Sequence, residues 1–179
     1  MPRTFSSPQK YSELKTFGGD NFDGIDPLCK QFGDILEIPP QIINDVCTLM
    51  TVRNIPVTIL GRSSCSALTV PMMFSFESMD QNGNALCLGE TVILPEEINP
   101  FISVLRHYDI LVTALHNHWL FNNPGIMFIH FESIDNPIHF AHKARHAISV
   151  RPFRGVFYKQ YKLLRPLTVK AWSEASTIS

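Results

Sequence analysis

The stretch that most constrains the fold covers residues 109–133 and reads DILVTALHNHWLFNNPGIMFIHFES. Two apolar runs flank the turn-forming string NNPG at residues 122–125, a pattern typical of a β-hairpin. The stretch also contains three of the seven histidines in the sequence. We therefore predict two paired strands that carry a histidine site, supported by the rest of the chain.

Length and composition indicate one globular domain without an obvious macromolecular partner. The chain has 179 residues, of which 45% are hydrophobic and 17% charged, so it can bury a core. Its formal net charge of −1 gives no overall attraction to nucleic acid or to an anionic membrane surface. We expect neither as a partner.

The expected compartment is the cytoplasm. No apolar run approaches the roughly 20 residues of a membrane span, and residues 1–24 are polar where a signal peptide needs an apolar core. The four cysteines include no Cys-x-x-Cys pair, which argues against a zinc knuckle or a dithiol motif. Buried free thiols are the favoured interpretation, with a disulfide or a reactive thiol as the alternative.

Prolines and capping residues mark three helix starts. Asp26 precedes Pro27, two glutamates follow Pro95, and Asn136 precedes Pro137. These signals predict helices near residues 27–36, 95–107 and 136–148.

Runs with strand propensity predict a mainly antiparallel sheet of five to seven strands, and hence an α+β fold. Outside the hairpin they lie near residues 45–52, 55–60, 67–79, 85–94 and 155–164. Asn82-Gly83 predicts a tight turn between two of them, and Pro71 predicts an edge strand or a bulge. The expected organisation is a flexible arm at 1–24, one domain at 25–165 and a tail at 166–179.

Strand periodicity groups the histidines of the hairpin. With a period of two, Val112, Ala114, His116 and His118 share one face of the first strand. His130 shares a face with Glu132 on the second strand, but the turn leaves the register undetermined by one residue. If the faces agree, His116, His118 and His130 form a ligand set suited to zinc or another divalent transition metal.

Two other interpretations of these histidines stay open. The same cluster can work without a metal, because an imidazole beside a carboxylate is the usual proton carrier near neutral pH. Alternatively the histidines are structural, with His116 and Asn117 bonded to the loop backbone and His130 buried in the core.

The chain resembles the LppY/LpqO family of bacterial proteins, a domain of unknown function, over roughly residues 28–148. The resemblance rests on Gly89-Glu90, on Glu-Ile-Asn-Pro at 97–100, on Thr-Ala-Leu-His-Asn-His at 113–118 and on His130-Phe131. It implies no named activity. It does imply one shared site, composed of Glu97, His116, Asn117, His118 and His130.

Two hypotheses for the function follow. The first is a metal-dependent or histidine-based enzyme, a hydrolase or lyase for a small polar molecule, with Glu97, His116 and His118 as catalytic residues. The second is a non-catalytic binding or interaction module, with structural histidines and self-association through the arm or the tail.

Overall fold

The helices begin at the capping signals that predict them. The computed structural model describes residues 26–150. Its helices are α1 (Pro27–Leu36), α2 (Ile98–His107) and α3 (Pro137–Ser149), and a 3-10 turn (Pro95–Glu97) leads into α2. The Asp26 carboxylate accepts a hydrogen bond from the Leu28 amide at 2.9 Å, and the Asn136 side chain accepts one from the Ile138 amide at 3.0 Å. All three predicted helices are confirmed.

Six strands form one antiparallel sheet, which confirms the α+β prediction. Their order is β1-β2-β5-β6-β9-β7, and a separate three-stranded sheet has the order β4-β3-β8. The strands are β1 (Pro40–Ile43), β2 (Val46–Val52), β3 (Val57–Ile59), β4 (Arg62–Ser64), β5 (Pro71–Glu77), β6 (Ala85–Ile93), β7 (Leu111–Asn117), β8 (Asn122–Asn123) and β9 (Met127–Asp135).

One face of the large sheet carries the main core, which the three helices cover. Phe74 of β5, Gly89 of β6 and Phe131 of β9 lie side by side in register on this face. Gly89 is required there, because a Cβ atom at this position would lie 2.3 Å from Cε2 of Phe131. The Phe131 ring therefore packs directly over the backbone of β6.

The small sheet covers one end of the opposite face and leaves the remainder of that face open. Its Val57 packs with Val92 of β6 and Phe128 of β9 in a second apolar cluster. Because side chains alternate along a strand, Glu90 and His130 lie on the same face as Val92 and Phe128. The open part of this face holds the candidate site.

The predictions for Pro71 and for two of the four cysteines are wrong. Pro71 is the first residue of β5, which lies between β2 and β6 and is neither an edge strand nor bulged at that point. Cys29 and Cys47 are not free thiols, because they form a disulfide with Cα atoms 5.6 Å apart. Cys87 is a buried free thiol as predicted, whereas the free thiol of Cys65 is exposed.

Some predictions lie outside the described residues. These are the arm at 1–24, the strand at 155–164 and the tail at 166–179. Within residues 26–150, no helix combines the length and the apolar character needed to cross a membrane.

Candidate functional site

The register between β7 and β9 places His116 and His130 on the same face. A bulge at Thr113 interrupts the pairing, so that Val112 lies opposite Phe131 while Ala114 lies opposite His130. Val112 therefore packs against the helix-covered core and not beside His116, contrary to the simple period-two prediction. The bulge brings Ala114 and His116 onto the open face with His130.

The imidazoles of His116 and His130 are joined directly. Their Nε2 atoms share a hydrogen bond of 2.9 Å, and the two rings are nearly parallel, with centroids 5.1 Å apart. Nδ1 of His116 lies 3.1 Å from the Asn117 carbonyl oxygen. Both nitrogens of the His116 ring therefore have a defined neighbour. The same is true of His130, because its Nδ1 atom lies near the carboxylate of Glu90.

Glu90 is the carboxylate of this site, and the sequence analysis did not identify it as a functional residue. It lies opposite His130 in the β6–β9 register, and its Oε2 atom is 3.3 Å from Nδ1 of His130. Both side chains are about one third exposed, at 34% and 33%. In the sequence, Glu90 belongs only to the Gly89-Glu90 motif. Its position beside His130 depends on the register between β6 and β9.

His118 follows β7 and occupies a different environment. Its ring stacks on Phe128 with centroids 3.9 Å apart, and its buried Nδ1 atom has no hydrogen-bond partner among the described residues. Desolvation by burial, and then the neighbouring His116, lower the pKa of His118 below the ordinary value of 6.5. His118 is therefore adapted to the neutral form.

Glu97 is buried and forms an ion pair with Arg53. Its side chain is 2% exposed, and both carboxylate oxygens accept hydrogen bonds of 2.7 Å from the guanidinium of Arg53. The carboxylate also accepts a bond of 3.0 Å from the Leu94 amide at the start of the 3-10 turn. These contacts fix Arg53 and the entry to α2, and the catalytic role predicted for Glu97 stays a prediction.

Two of the three predicted metal ligands converge. Within residues 26–150, no group of three or more histidine, cysteine, aspartate or glutamate side chains is arranged to hold a metal ion. The close pair is His116 and His130, and His118 does not complete a ligand set with them.

A depression of about 470 Å³ on the open face lies beside His130. Its volume is within the usual range for small-molecule sites. The polar side chains in its lining are Thr48, Ser75, Glu90, Thr113, His130 and Glu132. None of the described residues that line it is lysine or arginine.

Comparison with known proteins identifies a family without an assigned activity. A family model described as Domain of Unknown Function (DUF1259) matches residues 30–150, which includes every residue of the site. No curated protein and no solved structure matches the chain.

Proposed function

The chain belongs to the family described as Domain of Unknown Function (DUF1259), and we propose that it is an enzyme that binds a small polar molecule and transfers protons through His116 and His130. The reaction class is hydrolysis or elimination, since both require a group that accepts a proton and later returns it. The observation that carries the proposal is the 2.9 Å bond between the two Nε2 atoms, with Glu90 behind it.

The proton count of this chain of groups supports the proposal. The Asn117 carbonyl can only accept, so the hydrogen bond at Nδ1 of His116 needs a proton on that atom, and the ion pair between Glu90 and Nδ1 of His130 needs a protonated His130 ring. The bond between the two Nε2 atoms needs one more proton. Three protons on four ring nitrogens is one more than two neutral imidazoles hold, so the fully bonded pair carries one positive charge.

The extra proton is the one available for chemistry. Moving it from one Nε2 atom to the other transfers the positive charge between His116 and His130 without breaking the outer contacts. A ligand atom that replaces one partner of the 2.9 Å bond receives this proton or gives one up. The Glu90 carboxylate stabilises the charged pair and orients His130, the usual role of a carboxylate beside a catalytic histidine.

The lining of the depression supports neutral or cationic ligands over anionic ones. Glu90 and Glu132 both border it, and Glu132 forms no ion pair with any described residue. Ser75 and Thr113 add hydroxyl groups that can donate or accept hydrogen bonds. A phosphate or a dicarboxylate would meet uncompensated negative charge at Glu132, so we expect it to be excluded.

The test is a ligand screen followed by turnover measurements. Isotope-labelled protein is screened by NMR against neutral, cationic and anionic small molecules, and we expect hits that shift Ser75, Thr113 and His130. Each hit is then assayed for chemical conversion by the wild type, by His116→Gln and by His130→Gln. Loss of general acid–base catalysis should slow conversion by about 100-fold or more.

His142→Gln is the matched control, because His142 is exposed on α3. Hits that shift the site but are never converted would favour the non-catalytic binding module. Conversion that survives both site substitutions would refute proton transfer by the pair.

A metal-dependent reaction is the second candidate, and the outer contacts of the two rings favour it. Metal-bound histidines commonly donate their other N–H group to a carboxylate or a backbone carbonyl, as the positions of Glu90 and Asn117 allow here. Two nitrogens bound tetrahedrally to zinc would lie about 3.3 Å apart, given bonds of about 2.05 Å. The observed 2.9 Å is close to this separation.

In this second candidate, His116 and His130 would hold the metal through Nε2, and the metal would activate a water molecule or polarise the substrate. His118, two residues after His116, is the next histidine in the sequence. Elemental analysis of purified protein, and zinc titration of the wild type and of His130→Gln, separate this candidate from the metal-free mechanism.

We also propose that the family named in the sequence analysis, LppY/LpqO, is the narrower group to which the chain belongs. The motif strings at 97–100 and 113–118 support this assignment. A cytoplasmic location stays a prediction, and the Cys29–Cys47 disulfide favours an oxidising compartment instead.

A further inference from the structure

Charge is divided unevenly between the described domain and the segment that follows it. Residues 26–150 contain twelve aspartates and glutamates and six lysines and arginines, whereas residues 151–179 contain six lysines and arginines and one glutamate. Five of those six basic residues lie within residues 151–165, which read RPFRGVFYKQYKLLR and contain no acidic residue. We call residues 151–165 the basic segment. A block of like charge of this kind is typical of segments that bind an oppositely charged surface.

The open face of the six-stranded sheet is such an acidic surface. Three glutamates lie on it, and the six described strands contain no lysine or arginine. Glu90 approaches His130, whereas Glu77 and Glu132 form no ion pair with any described residue. The face therefore carries negative charge that nothing in the described part of the chain compensates.

Apolar side chains on both partners add to this complementarity of charge. Four strands contribute exposed apolar residues to the open face, with exposed fractions between 44% and 70%: Ile43, Met50, Leu111 and Ile134. In the basic segment, seven of the fifteen residues are aliphatic or aromatic. Contact between these groups removes apolar area from water, and it lowers the local dielectric around the opposite charges, which strengthens their attraction.

The end of α3 lies close enough for the basic segment to reach this face. The Tyr108 hydroxyl and Nδ1 of His146 share a hydrogen bond of 2.8 Å, so the last turns of α3 lie beside the turn that leads into β7. The first residue of β7, Leu111, is on the open face. Val150 and Leu111 are therefore at most about 30 Å apart, a distance that about nine extended residues span. Residues from Lys159 onward can contact the face.

We propose that the basic segment binds across the open face of the sheet in its own chain and covers the depression beside His130. Its lysines and arginines meet Glu77 and Glu132, and the charge of Glu132 that opposes anionic ligands attracts them. A cationic ligand then has to displace the basic segment to reach the depression. The proposal does not depend on the proposed reaction, since it concerns binding alone.

The test places a spin label on the basic segment of the full chain. Cys65→Ser removes the exposed thiol and Gln160→Cys supplies one for the label, while the other cysteines are buried or bonded to each other. We expect the label to broaden the NMR signals of the Ser75 and Glu132 amides more strongly than those of α1, which packs on the other face of the sheet. In about 1 M NaCl, where the Debye length is about 3 Å, most of this difference should disappear.

Glu77→Gln combined with Glu132→Gln should abolish the selective broadening. Asp34→Asn combined with Glu96→Gln is the matched control, because both residues are exposed, lie outside the open face and carry the same total charge. Thermal unfolding of each labelled variant verifies that it folds. Selective broadening that survives in the control and is lost in the open-face variant supports the proposal.

Three outcomes overturn it. The first is broadening of the α1 signals that equals the broadening on the open face. The second is selective broadening that stays at its full strength in the open-face variant. The third is seen when isotope-enriched protein without a label is mixed with labelled protein that is not enriched. Broadening in this mixture as strong as within one labelled chain would mean that the basic segment binds a second copy.

Discussion

The Nε2 atoms of His116 and His130 lie 2.9 Å apart on neighbouring antiparallel strands. A direct bond between two imidazoles requires one ring to donate and the other to accept, so the two side chains depend on each other's protonation.

The energetic coupling of this pair can be measured with a double-mutant cycle. A hydrogen bond between partly exposed groups is worth about 1 kcal/mol, so His116→Gln and His130→Gln should be non-additive by about that amount in the free energy of unfolding. Chemical denaturation of the wild type, the two single variants and the double variant measures the coupling. His130→Gln combined with His142→Gln is the control cycle and should be additive, since His142 is exposed on α3. Equal coupling in both cycles would show that the bond contributes nothing specific.

His118 should make the stability depend on pH in the acidic range. Its pKa is lowered in the folded state by burial and then by His116, so the unfolded chain binds more protons below the ordinary value of 6.5. The contribution of His118 is therefore fully present above about pH 6.5, and it is lost as the pH falls from there towards the folded-state pKa. Urea unfolding of the wild type at several pH values should show this decline.

His118→Phe is the informative variant for this prediction, because it keeps an aromatic ring on Phe128 and removes the titrating group. The variant should lose part of the acid-dependent decline in stability. If its pH profile matches that of the wild type, the protonation of other groups accounts for the dependence.

Local signals predicted the helices, and longer-range pairing decided the site. Asp26 and Asn136 bond to amides two residues later in the chain, so their sequence positions alone fix the helix starts. Glu90 and His130, by contrast, meet only because β6 pairs with β9 in one register. That register is a property of the whole sheet, and no short window of sequence contains it.

The bulge at Thr113 shows a second limit of pattern reading. A strict period of two would place Val112 with His116, and one additional residue in β7 removes Val112 from that face. A bulge leaves no clear trace in composition at this position. Similarly, β4 and β8 of the small sheet have three and two residues, which are too short for alternation to reveal, whereas β3 lies within the strand predicted near residues 55–60.

Glu97 should matter for stability more than for chemistry. Glu97→Gln keeps the side-chain shape but leaves the Arg53 guanidinium, 15% exposed, without its opposite charge. Breaking a buried ion pair on one side costs about 3 kcal/mol in the free energy of unfolding. Chemical denaturation measures this loss, and Glu96→Gln is the matched control because Glu96 is exposed in the same turn. A variant as stable as the wild type but unable to convert a substrate would support the catalytic role predicted from the sequence.

Gly89 should not tolerate alanine. The added Cβ atom would lie 2.3 Å from Cε2 of Phe131, whose ring is also packed against Phe101 with centroids 5.6 Å apart and therefore cannot easily move. Overpacking of this kind costs about 3 kcal/mol in the free energy of unfolding. Thermal or chemical unfolding of Gly89→Ala measures the cost. Gly125→Ala, where no atom lies within 4 Å of the added group, should be nearly neutral. Recovery of stability in Gly89→Ala combined with Phe131→Leu would identify the ring as the cause.

The Cys29–Cys47 disulfide limits the number of thiols that can react with a reagent. Cys65 is exposed and free, whereas burial, and then the charge of Asp135, raise the pKa of the Cys87 thiol to about 12. A thiol reagent should therefore modify one cysteine in the folded, unreduced protein and two after unfolding, because Cys29 and Cys47 are bonded to each other. Three or more reactive thiols after unfolding would show that the purified protein lacks the disulfide.

Reduction should also destabilise the fold, because the disulfide joins α1 to β2 across 18 residues of sequence. Closing a loop of this size contributes about 3 kcal/mol by restricting the unfolded chain. Urea unfolding with and without a phosphine reductant measures the difference, and Cys65→Ser should leave it unchanged. If reduction has no effect on the urea midpoint, the packing of α1 against α3 and the sheet is sufficient to hold this part of the core.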